Sequence, residues 1–275
     1  MLKYIHNGAR ARRKRLFMKI LAIGDVTGQG GVELLEKRLW DFRKAEGIDM
    51  CIVNAENAAF VTGVSPELAD RLFKAGADCL SGGNHTLRNK ATYTYLDEVD
   101  EILRPINFGA DAPGHGYCIT DCLGYRVMVI CCMGNVHIEP TLDSPFGYID
   151  RLLKREEGKY DLAVLDVHAE ATGEKLAIGY AYDGRISVIF GTHTHVPTAD
   201  EMILPRGTGY VTDLGMCGEE GGVLGMDPEC VVKRMRSHLP HRFVTASGAC
   251  AADGCIFDLD PSSGRCRSVK RVKIR

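Results

Sequence analysis

Residues 19–57, KILAIGDVTGQGGVELLEKRLWDFRKAEGIDMCIVNAEN, decide the fold class. The apolar runs at 19–23 and 50–53 are short and rich in Ile, Leu and Val, which predicts two buried strands. Between them, residues 32–46 carry apolar side chains at helical spacing, including Leu35 and Leu39. A strand, a helix and a second strand in this order are typical of an α/β protein with parallel strands.

The same alternation continues along the chain. Further apolar runs predict strands at 78–81, 126–132, 162–167 and 187–190. Ser65 followed by Pro66 predicts the start of another helix, with Ser65 as the N-cap. After about residue 200 the pattern changes to short strand-like segments, at 210–212, 242–245, 254–259 and 269–274. No linker or internal repeat interrupts the pattern, so we expect a single domain over residues 18–275.

Composition and charge exclude several classes of protein. The 275 residues are 45% apolar and 25% charged, so intrinsic disorder is excluded, and no apolar run is long enough to span a bilayer. Residues 1–17 contain six Lys and Arg and no acidic residue, and we expect this basic extension to lie outside the fold, with Met18 as an alternative start of translation. The remaining 28 basic and 36 acidic residues give a net charge of −8, which argues against stable nucleic-acid binding.

The eleven cysteines indicate a reducing compartment, since their number is odd and most lie inside apolar segments. We therefore expect a cytoplasmic protein. Four of them permit two interpretations, a zinc cluster or buried thiols on adjacent strands: Cys118, Cys122, Cys131 and Cys132. The absence of any C-x-x-C pair favours buried thiols.

Polar side chains follow five of the predicted strands, where each strand ends. The residues concerned are Asp25, Glu56, Asn57, Asn84, His85, His168, His193 and His195. Taken singly, Asp25 also suits a helix cap, and the asparagines suit turns. Because ligand sites in open α/β sheets lie at the carboxyl ends of strands, we expect these side chains to converge on one pocket.

The side chains in this set are typical of metal ligands. His193 and His195 stand two residues apart, and on an extended segment both would point to one side, as a chelating pair requires. Excluding His85, seven nitrogen and oxygen donors are more than one tetrahedral site uses, and they suit two adjacent ions of iron, manganese or zinc. Two such ions activate water and hold a phosphate during in-line attack. His85, beside Asn84, is then a candidate acid for the leaving oxygen.

Six segments resemble one known family: IGDVTG (23–28), NAENAA (54–59), GGNHT (82–86), DVHAEATGEK (166–175), GTHTHVPTAD (191–200) and LGMDPECVVKR (224–234). In order and spacing they are similar to the YmdB-type calcineurin-like metallophosphoesterases, over about residues 18–260. The resemblance implies a four-layer αββα sandwich, in which two mixed sheets are flanked by helices. It also implies a di-iron centre and hydrolysis of 2′,3′-cyclic nucleotides to 3′-nucleotides.

The resemblance also implies a role for each candidate residue. Asp25, Asn57 and His195 would bind one metal. Asn84, His168 and His193 would bind the other, and Glu56 would bridge the two. His85 matches the proton donor of the family, and hydroxide formed at the metals would attack the phosphorus. Lys175 and Asp200 lie near these motifs and are expected to support the ligands.

Two alternatives use the same pocket, namely a phosphomonoesterase and a non-catalytic regulator that senses iron or nucleotides. The expected partners are a small cyclic nucleotide and further copies of the chain in a homo-oligomer, with no membrane association.

Overall fold

The structure is a computed structural model, and it describes residues 16–59 and 63–275. The expected basic extension lies outside the described residues except for Leu16 and Phe17, which are both exposed. The helices are α1 (Gly28–Glu46), α2 (Pro66–Ala75), α3 (Tyr93–Glu98), α4 (Pro145–Arg155), α5 (Thr172–Tyr182) and α6 (Pro228–Ser237). Two short 3₁₀ helices, Thr86–Arg88 and Lys90–Thr92, precede α3.

The first sheet combines parallel and antiparallel strands. Its members are β1 (Met18–Ile23), β2 (Asp25–Val26), β3 (Met50–Asn54), β4 (Cys79–Ser81), β11 (Met216–Glu219), β12 (Cys250–Asp260) and β13 (Arg265–Ile274). Strands β1, β3 and β4 are parallel neighbours, whereas β12 runs antiparallel to β1. Strand β12 also pairs with β13 along its other edge. The carboxyl ends of β1, β3 and β4 therefore meet at one edge of this sheet.

The second sheet has a parallel centre and antiparallel edges. Its members are β5 (Tyr117–Cys122), β6 (Tyr125–Met133), β7 (Leu162–His168), β8 (Val188–Thr192), β9 (Met202–Ile203) and β10 (Gly209–Val211). Strands β6, β7, β8 and β10 are parallel, while β5 and β9 close the edges in the antiparallel direction. The carboxyl ends of β7 and β8 bring two of the polar segments next to each other.

The apolar side chains of β1 show how the layers form. Met18, Ile20 and Ala22 pack into the core shared by the two sheets, whereas Leu21 and Ile23 pack on the opposite face against α1 and α2. This period of two is what a strand buried on both faces requires. The second sheet is built in the same way and packs its outer face against α4 and α5. The order helix, sheet, sheet, helix confirms the predicted α/β sandwich of two mixed sheets flanked by helices.

The local predictions differ from the structure in several places. Residues 242–245, predicted as a strand, belong to no strand, and within them only Thr245 forms an isolated bridge, to Met226. The prediction was wrong because residues that favour strands, such as Phe243 and Val244, also occur in segments that have no partner strand. Helix α1 begins at Gly28, whereas the apolar spacing that predicted it begins at residue 32. The apolar pattern misses the first turn because residues 28–31 carry no apolar side chain. Ser65 is the predicted N-cap, and its hydroxyl accepts a hydrogen bond from the N–H of Leu68 (3.2 Å).

The four cysteines that the sequence allowed as either a zinc cluster or buried thiols are buried thiols. Cys118 and Cys122 lie on β5, and Cys131 and Cys132 lie on the neighbouring β6. In the described ranges they form no group with the spacing of a metal site. As for membranes, the described chain contains no helix with the length and apolar character needed to cross a bilayer.

Candidate metal centre

The polar segments that follow five strands of the two sheets lie together. Asp25 begins β2 directly after β1, while Glu56 and Asn84 follow β3 and β4 of the same sheet. His168 ends β7, and His193 follows β8 in the other sheet. The site is therefore built where the carboxyl ends of both sheets face each other, and each sheet supplies part of the ligand set.

Four of these side chains surround one point. The Nε2 atom of His168 lies 3.1 Å from Asn84 Oδ1, 3.1 Å from His193 Nδ1 and 3.3 Å from Glu56 Oε2. Glu56, His168 and His193 form the group of His, Cys, Asp and Glu side chains that is close enough to hold an ion in the described part of the chain. Lone pairs on these four atoms would repel one another at this spacing, and a cation among them would remove the repulsion.

The remaining candidates form a second group beside the first. Nε2 of His195 lies 3.8 Å from Asp25 Oδ1 and 3.3 Å from Asn57 Nδ2. Asn57 Nδ2 also donates a hydrogen bond to Glu56 Oε1 (2.8 Å). Glu56 thus contacts both groups, one through each carboxylate oxygen.

The carboxylate of Asp25 is buried and only one of its oxygens is hydrogen-bonded in the described chain. One of its oxygens, Oδ2, accepts a hydrogen bond from the N–H of His193 (3.0 Å). The other, Oδ1, is buried and has no hydrogen-bond partner among the described residues. Burial raises the pKa of Asp25 well above its usual range, and the neighbouring charge of Glu56 raises it further. A buried, unpartnered carboxylate oxygen fits a metal ion, which supplies the charge that the protein does not.

The ionisation of the other groups also suits metal binding. Burial lowers the pKa of His168 to about 3, so its ring is neutral near pH 7 and its lone pair is available. For Glu56, burial raises the pKa, but the adjacent rings of His168 and His85 outweigh that effect and hold the pKa below its ordinary value. Glu56 is therefore ionised when metal binds.

His193 and His195 do not act as the extended chelating pair that the sequence analysis expected. Their φ angles are 97° and 62°, so the backbone is left-handed at both residues and the segment is not a strand. This turn sends His193 towards His168 and His195 towards Asp25. His193 and His195 therefore lie in different places, and the ligand roles that the resemblance implies for them stay a prediction.

His85 lies next to both groups. Its Nδ1 is 2.7 Å from Asn57 Oδ1 and 3.3 Å from Glu56 Oε1. Its backbone N–H donates a hydrogen bond to Glu56 Oε2 (3.0 Å). Nε2 of His85 has no hydrogen-bond partner within residues 16–59 and 63–275, so it is the ring nitrogen left for other contacts.

A buried polar network orients the His168 ring through its Nδ1 atom. Its Nδ1 forms a hydrogen bond of 2.9 Å with the hydroxyl of Thr192, which donates in turn to Asp166 Oδ1 (2.7 Å). Ser81 and Asn54 both donate to Asp166 Oδ2. A hydrogen bond to the second ring nitrogen fixes which nitrogen of a histidine is free for a metal. Sequence reasoning missed Asp166 and Thr192, although Asp166 lies two residues before His168, on the same side of the strand.

The turn that carries His193 and His195 is supported by a buried ion pair. Nζ of Lys175 donates to Asp213 Oδ2 (2.6 Å) and to the carbonyl of Thr192 (2.7 Å). The same Asp213 oxygen accepts from the N–H of Thr194 (3.2 Å). Lys175 thus holds the turn, as expected, and Asp213 is a partner that sequence reasoning missed. Asp200, also expected to support the ligands, instead accepts hydrogen bonds from Thr198 and Thr212.

Two further residues define the space around the ligands. Glu170 Oε2 lies 3.3 Å from His193 Nε2, so a carboxylate faces the ring nitrogen that points away from His168. At Gly83, an added Cβ would lie 2.3 Å from both Glu56 Oε2 and His168 Nε2. Only glycine therefore leaves these two candidate ligands in place.

Comparison with known proteins agrees with this architecture. The model of the family described as YmdB-like protein matches residues 21–272. A 2′,3′-cyclic-nucleotide 2′-phosphodiesterase of Bacillus subtilis (strain 168) is 38% identical over 94% of this chain and 97% of its own length.

Two solved structures are similar over nearly the whole chain. A hypothetical protein from Thermus thermophilus is 36% identical with a TM-score of 0.86, covering 93% of this chain and 98% of its own. A novel phosphatase from Mycoplasma pneumoniae is 30% identical with a TM-score of 0.87, covering 94% of this chain and 93% of its own. The predictions of a phosphodiesterase and of the metallophosphoesterase fold are confirmed. The family match over residues 21–272 and these relatives establish that the chain belongs to the YmdB-like protein family.

Proposed function

We propose that this chain is a dinuclear-metal phosphodiesterase that hydrolyses 2′,3′-cyclic nucleotides to 3′-nucleotides. The observation that carries the proposal is the convergence of five strand ends around the buried Asp25 Oδ1, which lacks a partner among the described residues. The name of the Bacillus subtilis relative supports the choice of a cyclic diester as substrate.

The side chains divide into two metal sites with a shared carboxylate. Asp25, Asn57 and His195 would hold one ion. Asn84, His168 and His193 would hold the other, and Glu56 would bridge them, since its two oxygens face different groups. All donors are nitrogen or oxygen, which suits iron, manganese or zinc. Among these we propose iron, as the family resemblance implies.

Charge explains how an acidic protein can bind a phosphate here. Only Asp25 and Glu56 among the seven ligands carry a negative charge, and the buried His168 is neutral. Two divalent ions therefore leave the centre positive, which attracts an anionic diester. When bound, the ions would also supply the hydroxide nucleophile and hold the phosphate oxygens.

His85 is placed to protonate the leaving group. Its Nδ1 is held by Asn57, which leaves Nε2 as the ring nitrogen without a hydrogen-bond partner in the described ranges. The bond that breaks joins phosphorus to the ribose 2′-oxygen, and the proton passes from His85 to that oxygen. The product then keeps its phosphate on the 3′-oxygen. A histidine suits this transfer because one ring nitrogen can be held by a hydrogen bond while the other gives its proton to the leaving oxygen.

The proposal is tested by elemental analysis of the purified protein combined with product identification from 2′,3′-cyclic AMP. We expect two metal ions per chain and 3′-AMP as product. His85→Ala should keep its metal and lose turnover by about 10²–10⁴-fold, the usual contribution of a general acid. Equal loss of metal and turnover would instead make His85 a ligand or a structural residue.

The same assay separates the two alternatives. Consumption of 3′-AMP faster than of the cyclic diester would identify a phosphomonoesterase. Binding of the cyclic nucleotide by the metal-loaded protein without hydrolysis would identify a non-catalytic regulator.

Two broader proposals concern the setting of the enzyme. We propose a homo-oligomer, because Met235 and Leu239 around the end of α6 are 69% and 61% exposed and close to the half-exposed Val232. We also propose a cytoplasmic location. The buried free thiols support it, since Cys79 and Cys118 lie with their sulfurs 3.9 Å apart and remain unbonded.

A further inference from the structure

A second cavity of about 500 Å³ lies beside β5, between α4 and the chain that precedes β5. It shares no residue with the candidate metal centre. Its lining combines basic and aromatic side chains and contains no carboxylate: Arg104, Phe108, Tyr117, Tyr148, Arg151 and Arg155. This composition stands out in a protein whose body carries a net charge of −8.

Arg104 is the buried charge of this cavity. The residue is only 8% exposed, and its guanidinium donates hydrogen bonds to the carbonyls of Pro105, Ala112 and Pro113. No carboxylate lies within ion-pair distance of it in the described chain. Carbonyl oxygens satisfy its N–H groups but do not neutralise its charge, and the carboxylate of Asp97 acts on that charge from beyond ion-pair distance. A buried charge without a contacting counter-ion is costly. An anion in the cavity would compensate it.

Two arginines on α4 are held against aromatic rings. The guanidinium of Arg151 lies 4.6 Å from the centre of the Tyr148 ring, and that of Arg155 lies 5.3 Å from the centre of the Tyr117 ring. Arg155 also forms an ion pair with Glu156 (2.8 Å), a carboxylate that it shares with Lys159. Arg151 forms no ion pair within the described residues. The cavity therefore offers two guanidinium groups, those of Arg104 and Arg151, that have no ion-pair partner in the described chain and lie next to half-buried rings.

We propose that this cavity binds a nucleotide, with its phosphate at Arg104 and Arg151 and its base against Tyr148 and Phe108. Guanidinium groups bind phosphate through several parallel hydrogen bonds. Aromatic side chains stack on bases whatever their sequence, and this combination is typical of single-stranded nucleic-acid and nucleotide sites. A site for a simple anion would not require the aromatic rings, and a site for an apolar ligand would not require the arginines.

The same chemistry occurs in a free nucleotide and in a single-stranded RNA. The shape of the cavity does not favour duplex nucleic acid, because it lies between α4 and a loop and does not form an extended basic face. Both sources present one phosphate next to one base. The experiment therefore uses one probe of each kind.

The test is calorimetric titration of the metal-loaded protein with 5′-AMP and with a 5′-phosphorylated tetraadenylate. Arg151→Glu is the main variant, and Arg185→Glu is its charge control, since Arg185 is also exposed and lies 5.2 Å from a tyrosine ring outside this cavity. Arg185 differs from Arg151 in its ion pair with Asp150 (2.9 Å), but that pair is exposed and its loss costs little stability. Tyr148→Leu removes the ring, whereas Tyr148→Phe keeps it. Thermal melts and turnover of 2′,3′-cyclic AMP verify that each variant is folded and that its metal centre is intact.

We expect a binding event that Arg151→Glu and Tyr148→Leu each weaken by about tenfold, as the loss of one stacked base or one phosphate contact predicts. Arg185→Glu and Tyr148→Phe should leave it within about twofold, because neither removes a stacking or phosphate contact. Turnover should be unchanged in all four variants. Tighter binding of the tetraadenylate than of 5′-AMP identifies RNA as the source, and the reverse order identifies a free nucleotide.

Three results would overturn the proposal. The first is unchanged binding of both probes by Arg151→Glu. The second is equal weakening by Arg185→Glu, which would indicate a general charge effect. The third is competition by inorganic phosphate as strong as by 5′-AMP, since the rings would then contribute nothing.

Discussion

Replacing Lys175 by Met should destabilise the protein and loosen the turn that carries His193 and His195. Lys175 and the side chain of Asp213 are each only 1% exposed, and their charged atoms lie 2.6 Å apart. Met matches the length of the lysine stem, so little apolar contact is lost. The substitution leaves the buried carboxylate of Asp213 without its lysine partner.

The magnitude follows from the burial of both groups. Breaking a buried ion pair by removing one partner costs about 3–5 kcal/mol, because the remaining charge is left uncompensated. For a chain of this size that free energy corresponds to a melting temperature lower by roughly 6–20 °C. The carboxylate of Asp213 also holds the N–H of Thr194, so we expect metal content to fall as well.

Thermal melts and elemental analysis of four proteins measure these effects: the wild type, Lys175→Met, Asp213→Asn and the double variant. The double variant should be less destabilised than the two single changes added together, because it leaves no unpaired charge. Lys159→Met is the matched control, since 62% of the Lys159 side chain is exposed and its partner Glu156 keeps a second cation, Arg155 (2.8 Å). The ion pair of a solvent-exposed lysine contributes at most about 1 kcal/mol. A Lys175→Met protein that melts within a degree of Lys159→Met and keeps its metal would refute the reasoning.

Three further outcomes are expected at the candidate metal centre. Thr192→Val removes the hydroxyl that orients His168 and should weaken metal binding by about 10–100-fold, measured by competition with a chelator, while Thr192→Ser should retain most of the affinity. Gly83→Ala places a methyl group 2.3 Å from Glu56 Oε2, so the purified variant should contain little metal and be inactive even when metal is added in excess. Folding raises the pKa of the Asp25 carboxyl, so the metal-free folded protein holds this proton more tightly than the unfolded chain does. The free energy of unfolding of the metal-free protein should therefore fall as the pH rises from the ordinary pKa of 3.8 through the raised pKa. In urea melts of the metal-free protein, Asp25→Asn should reduce that decline and also abolish metal binding, and a decline as steep as that of the wild type would contradict the assignment.

Much of the fold follows from local patterns. The alternation in β1 places Met18 and Ile20 on one face and Leu21 on the other, and this period is visible in the sequence without any partner strand. Helix α2 could be located from Ser65 and Pro66, since capping depends on neighbours in the chain. The strand predicted at 242–245 failed for the opposite reason, because a strand exists only where a second strand supplies hydrogen bonds.

Much of the candidate site could also be found in this way. The polar residues of the two sheets each follow a run of buried apolar residues, and the rule that sites lie at the carboxyl ends of strands predicts that they converge. Glu170 could not be assigned, because its approach to His193 depends on how the chain turns after β7. Asp213 could not be predicted from the sequence for a similar reason. It lies 38 residues from Lys175, and the two side chains meet only when α5 packs beside the end of β10.

The sequence alone determined which residues are buried, which strands alternate with helices and which donor atoms are available, because these properties depend on composition and on spacing within a few residues. Tertiary structure alone decided how the donors are divided. The left-handed turn at His193 and His195 sends one ring to each group, and the packing of two sheets leaves one oxygen of Asp25 buried without a partner in the described chain. Spacing along the chain cannot encode these features, because the distances between the ligands are set by backbone conformation and by contacts between residues far apart in sequence.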